Sequence, residues 1–306
     1  MFRSHRQRCL PILLLVMFSA GLRAQEPSPV ALPARRELPS PTDAKEIVRR
    51  ALDVDQTNFQ LARNYTYDER EELKMLKGGK IKKDEINTYE VTILYDEPYS
   101  RRIRKNDKPL PDKEERKESE KLDKFVADRK NENESEHKKR LAKIDKERQE
   151  ERAFVRDVIN AYDFRIAGEE RVDGVNTYVV DAVPRKDFRP TQPHADILSK
   201  LRAKLWISKK DYGCVKLEAE TLDTISFGLF LVRIHQGSQI RYEQTRVNDE
   251  IWLPRLLSVN ASARVALVSN GSIDFESTYS HYQKFTSDVR ILPGAAEVQP
   301  APGLPR

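Results

Sequence analysis

From residue 257 the chain alternates: Leu257, Val259, Ala261, Ala263, Val265 and Leu267 are apolar, with Ser258, Asn260, Ser262 and Arg264 between them. A period of two puts those apolar side chains on one face of a strand. Asn270-Gly271 is a two-residue turn signal, and it predicts a partner strand at residues 273–279. The same grammar runs back to Tyr162. Residues 163–172 and 177–183 flank Asp173-Gly174, residues 204–208 pair with 215–219, and residues 239–245 turn at Asn248-Asp249 into 251–254. Phe227 to Ile234 is apolar throughout. It predicts either a strand buried on both sides or a lip that touches lipid. Together these signals predict a meandering antiparallel sheet with one wet face and one apolar face.

The amino-terminal half changes period. Ile47, Val48, Ala51 and Leu52 recur at helical spacing, and Thr42 is the expected N-cap of a helix over residues 43–63. Tyr65 to Glu71 alternates as a strand, Gly78-Gly79 marks a turn, residues 89–95 form a second strand broken by Pro98, and 101–104 form a third. Residues 112–157 differ in kind: 30 of the 46 are charged, 15 of each sign, with neither proline nor glycine. They predict two helical stretches around a solvated centre, a charged insertion in the sheet domain. Its balanced charge argues against a nucleic-acid arm, and its heptads are too broken for a coiled coil.

Charge changes the picture only after the leader is set aside. Arg3, Arg6 and Arg8, the apolar run Leu10 to Phe18 and the small residues before Ala24 read as a secretory signal peptide over residues 1–24. The formal charge of +6 on the whole chain falls to +2 without it, which removes the case for nucleic acid. Proline-rich residues 25–41 and 293–306 read as disordered, which leaves 42–292 as the folded domain. The expected product is exported, periplasmic and soluble, with peripheral or no stable membrane association. Cys214 is then the only cysteine, so no internal disulfide is available, and its strand-like surroundings predict a small buried residue.

The chain lacks G-x-S-x-G, H-E-x-x-H, C-x-x-C, Walker and G-x-G-x-x-G motifs, and its histidines have no metal-ligand spacing. No catalytic residue, metal or cofactor is expected. A sheet wrapped over two helices can leave an apolar cavity, and such cavities take acyl chains. The candidate lining is Trp206, Phe227, Leu229, Phe230, Trp252, Val259 and Val265. The bland counterpart is a filled core in which both tryptophans simply pack.

Three stretches resemble the LolA/LolB/RseB-like superfamily of outer membrane lipoprotein-sorting proteins. They are Lys204-Leu205-Trp206-Ile207-Ser208 with Val215-Lys216-Leu217-Glu218, the run Val247 to Pro254 containing Trp252-Leu253-Pro254, and the hairpin from Tyr162 to Pro184. The resemblance implies an α+β fold: an open antiparallel β half-barrel wrapped over helices, whose apolar interior accepts lipid or lipoprotein acyl chains without catalysis. The charged insertion departs from that pattern. Two functions are therefore expected, a lipid or lipoprotein carrier first, and a protein-binding sensor or scaffold that meets its partner through residues 112–157 second. A hydrolase would need an acid/base set that no motif supplies.

Overall fold

The computed structural model describes residues 43–285, apart from 79, 96, 193, 228–231 and 266–268. The leader, both proline-rich segments, Leu229 and Phe230 lie outside that set. The chain opens with α1 (Ala44–Leu61), then β1 (Tyr65–Lys77), β2 (Lys80–Leu94), β3 (Glu97–Lys105) and the short β4 (Lys108–Pro109). Helices α2 (Asp112–Lys130) and α3 (Glu134–Ala161) follow, then β5 (Tyr162–Val172), β6 (Val175–Pro184), β7 (Leu201–Ser208) and β8 (Cys214–Thr221). A small hairpin, β9 (Ile225–Phe227) and β10 (Val232–Ile234), precedes β11 (Gln239–Val247), β12 (Ile251–Val265) and β13 (Ser269–Lys284).

The strands form one antiparallel sheet in the order β4-β3-β2-β1-β13-β12-β11-β8-β7-β6-β5, with the β9–β10 hairpin attached to the far end of β12. The edges β4 and β5 do not meet, so the sheet is open. Two local meanders make it, β1–β4 and β5–β13. They are joined by the ladder between β1 and β13, whose pairs run from Tyr65↔Lys284 to Lys77↔Gly271.

Helix α1 defines the inner face. Asp43 caps it by accepting from the Lys45 backbone N–H at 3.0 Å, so the cap is one residue later than Thr42. Its apolar stripe Ala44, Ile47, Val48 and Ala51 packs on Tyr178 and Val180 of β6 and Ile207 of β7. Burying an Ile or Val in this way contributes about 1.5–3 kcal/mol per side chain. A second cluster joins Ala161 at the end of α3 to Tyr162, Ala182, Ile197, Leu198, Leu201 and Ile225. Asp157, buried in α3, ties that helix to the following loop by accepting from Thr191 N (2.8 Å), Thr191 Oγ1 (2.6 Å) and Gln192 N (3.1 Å). Among the described residues no helix is long and apolar enough to cross a membrane.

Three local expectations change. Pro98 sits inside β3, opposite Ile93. It is tolerated because β4 pairs only with Arg104 and Lys105, so no neighbour there needs a proline N–H. Asn270-Gly271 lies within β13, paired with Arg264 and Ala263, and is not the turn. Glycine is needed at 271 for another reason: a Cβ there would lie 2.2 Å from the Leu76 carbonyl oxygen of β1. The charged insertion is two continuous helices rather than helical ends around a polar middle. They part at Asn131–Asn133, where the Asn133 side chain and Glu136 form a reciprocal capping box.

Candidate functional site

Two registered rows cross the inner face. The first runs Val180, Leu205, Leu217, Tyr242, Leu257, Ser277, Glu71, Asn87. It is aliphatic beneath α1 and becomes polar and aromatic where the sheet passes to β13 and β1. The second row, two residues along each strand, runs Ala182, Ala203, Ala219, Ile240, Val259, Phe275, Leu73. Its alanines lie at the covered side, where Ala182 and Ala203 meet the α3 cluster. Its large residues Ile240, Val259, Phe275 and Leu73 are half-buried and belong to none of the three buried clusters.

The polar part of the first row is built mainly from β1 and β13. Alternation puts Tyr67, Glu69 and Glu71 of β1 on the inner face, and Ser277 and Tyr279 of β13 stand opposite Glu71 and Glu69. Ser277 Oγ donates to Glu69 Oε1 at 3.0 Å, and Tyr67 lies 6.0 Å from Tyr279 and 5.4 Å from Tyr282 between ring centroids. Ser277 and Tyr242 are buried and form the floor, and Gln244 Nε2 donates to the Tyr242 hydroxyl at 3.2 Å. From α1, Asp55 acts electrostatically on Tyr242 and Cys214. Tyr67, Glu69, Glu71 and Tyr279 are half-buried and make the polar recess of the inner face, and Asp55 of α1 is half-buried beside Tyr242.

That burial sets the proton affinities. Desolvation pushes the Asp55 carboxyl up to about 7. Desolvation, with the Glu69 charge adding to it and Lys83 opposing, pushes Glu71 up to about 7. Glu69 is raised by desolvation, against hydrogen bonds from Ser277 and Tyr279. Burial also raises the tyrosines and pushes the Cys214 thiol up to about 12, so that thiol is not a nucleophile at neutral pH. None of the three carboxyls has an Arg or Lys ion-pair partner among the described residues, and Lys83 is paired with Glu85 at 3.0 Å. Elsewhere the charges are densely paired, as in Arg140 with Glu97 and Glu132, both at 2.8 Å.

The expected lining residues separate. Val259 lies in the half-buried apolar row. Val265 pairs with Val232 and Ser269, and Phe227 with Val232, beside the far end of that row, and their side chains lie outside the described residues. Trp206 faces the other way. Leu205 and Ile207 point toward α1, so Trp206 is on the outer face, where it donates to Glu170 Oε2 at 2.7 Å and carries the Lys216 ammonium 4.3 Å above its ring. Trp252 is sealed against the 209–213 turn. Its Nε1 donates to Asp211 Oδ2 at 3.2 Å, its backbone N–H reaches Asn58 Oδ1, and a Cβ on Gly213 would fall 2.1 Å from its indole nitrogen. The recess residues were not among the expected ones. Their signal was the same-parity run Tyr65, Tyr67, Glu69, Glu71, polar on the face that a buried strand keeps apolar.

No family model and no curated protein matches this chain. Solved structures match at low identity. A DUF1329 family protein from Desulfovibrio piger is 11% identical, with 80% of this chain and 94% of that one covered and a TM-score of 0.30. A structure described as an outer membrane lipoprotein-sorting protein domain from Vibrio parahaemolyticus is 10% identical over 78% and 94%, with a TM-score of 0.32. A LolA superfamily protein from Nitrosomonas europaea is 11% identical over 82% and 94%, with a TM-score of 0.26. The open antiparallel sheet with helices is the architecture that the resemblance of the sequence motifs implies.

Proposed function

We propose that the chain is a non-catalytic periplasmic binding protein that takes the acyl chain of a lipid or lipoprotein onto the inner face of its open sheet. One observation carries this reading: Ile240, Val259, Phe275 and Leu73 form an unbroken apolar row on four neighbouring strands, half-exposed and outside the buried clusters. Contiguous exposed apolar surface of this kind marks a binding surface. Each methylene buried there contributes about 0.8 kcal/mol, so one long chain supplies a useful driving force. In this reading Val259 is a contact residue, and Trp206 and Trp252 serve the scaffold.

Native mass spectrometry on protein purified from the periplasm, with lipid extraction, tests it. Co-purifying fatty acid, phospholipid or lipoprotein is expected, and Phe275→Asp is expected to lose it while the circular dichroism spectrum stays unchanged. A clean apo mass, with no uptake of offered fatty acid, would overturn the reading and favour a protein-binding module that works through α2 and α3.

A further inference from the structure

We propose that the open edge of β5 docks a second copy of this chain, joined antiparallel about a twofold axis at Phe164. The inference stands apart from the acyl-chain reading. The sheet has two edges. At one, β4 is a short cover over Arg104 and Lys105, and Pro98 sits in β3. Helix α2 lies against that edge, with Arg102 on Glu114 at 2.8 Å and Tyr99 on Phe125 at 4.9 Å between ring centroids. Proline, a short edge strand and a covering helix all blunt an edge against further pairing. At the other edge β5 ends the sheet, and among the described residues no strand lies beyond it. A bulge at Ala167 interrupts its second half, since Ile166 pairs with Val180 and Gly168 with Val179. Tyr162 to Ile166 keeps unbroken register.

That segment is self-complementary in backbone and side chains. Arg185 N donates to Ala161 O at 2.8 Å beside the Tyr162↔Pro184 pair, which makes it a non-hydrogen-bonded pair. Alternation then turns the N–H and C=O groups of Tyr162, Phe164 and Ile166 toward the open edge. Phe164 and Ile166 pack inward in the α1 cluster, and Asp163 and Arg165 face outward, with 77% of each side chain exposed. An axis at Phe164 sets Asp163 opposite the partner's Arg165, and Arg165 opposite the partner's Asp163, with Cα atoms about 4.5 Å apart. On the apolar face Phe164 meets its own copy and Tyr162 meets the partner's Ile166. Those pairs are the hydrogen-bonded ones, and they use the groups that β6 leaves free. Moving the axis by one residue would set Asp163 against itself or Arg165 against itself. The end of α3 comes opposite the partner's Ala167 and Gly168, both small. Within its own chain Arg165 uses one nitrogen on Asp181 at 2.8 Å, and the guanidinium has further N–H groups for a second carboxylate.

Sedimentation of protein purified from the periplasm, over a wide range of concentration, is expected to show a monomer–dimer equilibrium that weakens with salt. Arg165→Asp sets two aspartates against each other across the axis, and Asp163→Arg sets two arginines. Each variant alone is expected to weaken the dimer about tenfold. Mixed in equal amounts, the two variants pair every aspartate with an arginine, and the dimer is expected to return. That rescue separates charge pairing from misfolding. A chain that stays monomeric throughout would overturn self-pairing and leave the edge to an extended segment of another protein. A dimer unmoved by either variant, or one not restored in the mixture, would overturn the pairing at Phe164.

Discussion

Asp55 and Glu71 keep their protons up to about pH 7 because desolvation by the surrounding protein outweighs the weak pull of Lys83 on Glu71. In the unfolded chain both ionise near pH 4. Between those values the folded state binds more protons than the unfolded one, so stability is highest at the acid end and falls as pH rises through 7. Asp55→Asn and Glu71→Gln should therefore stabilise the protein by about 1–2 kcal/mol each at pH 8, after discounting for their partial exposure, and change little at pH 4. Denaturant melts at the two pH values check this, and equal shifts at both would show that ionisation is not the cause. The same residues show what was legible. The parity of Tyr67, Glu69 and Glu71 could be read from the sequence, but not that Ser277 and Tyr279 stand opposite them, since nothing local links positions more than two hundred residues apart. Trp206 was misleading for a related reason: strand alternation was visible around it, but which parity faces the helix was decided by α1.

At the scale of elements, the end of α3 is anchored in the apolar core, while the turn between α2 and α3 is tied to β3 by ion pairs. Arg140 of α3 reaches Glu97 of β3 at 2.8 Å and Glu132 at 2.8 Å, and Arg129 reaches Glu97 at 3.4 Å. The Arg140 pair is well shielded, and side chains this enclosed leave an uncompensated charge when one partner goes. Arg140→Ala should loosen the α2–α3 hairpin by about 2 kcal/mol, read as faster amide exchange in residues 112–140 with β5–β8 unaffected. Uniform exchange across the chain would show that the hairpin is not a separate unit. The helices themselves were readable from composition. Their boundary was readable too, in Asn133-x-x-Glu136, but a charge-rich stretch offers so many cap-like residues that the pattern does not stand out. The strand positions of Asn270 and Gly271 escaped because turn dipeptides report local preference, whereas the glycine at 271 answers to the β1 backbone beside it.

At the scale of the whole molecule the sheet is two meanders with one seam, and β1 and β13 are that seam. Gly271→Ala puts a methyl against the Leu76 carbonyl and should separate the end of the seam, costing about 2–3 kcal/mol by overpacking. A thermal melt would register it, with Gly174→Ala at the β5–β6 turn as a control for backbone strain alone: no atom lies within 4 Å of a Cβ at 174. An unchanged melt for Gly271→Ala would overturn the close approach.

The seam also fixes an order of events. A chain emerging residue by residue can pair β2 with β3, or β5 with β6, as soon as each hairpin is out. Strand β1 can pair with β2 at once, but its other edge must wait for β13, since closing so long a loop carries an entropic cost that only the completed ladder offsets. Glu69 and Glu71 come from one side of that junction, Ser277 and Tyr279 from the other. A nascent or truncated chain can thus own most of its sheet and still lack the polar recess, which arrives only with β13.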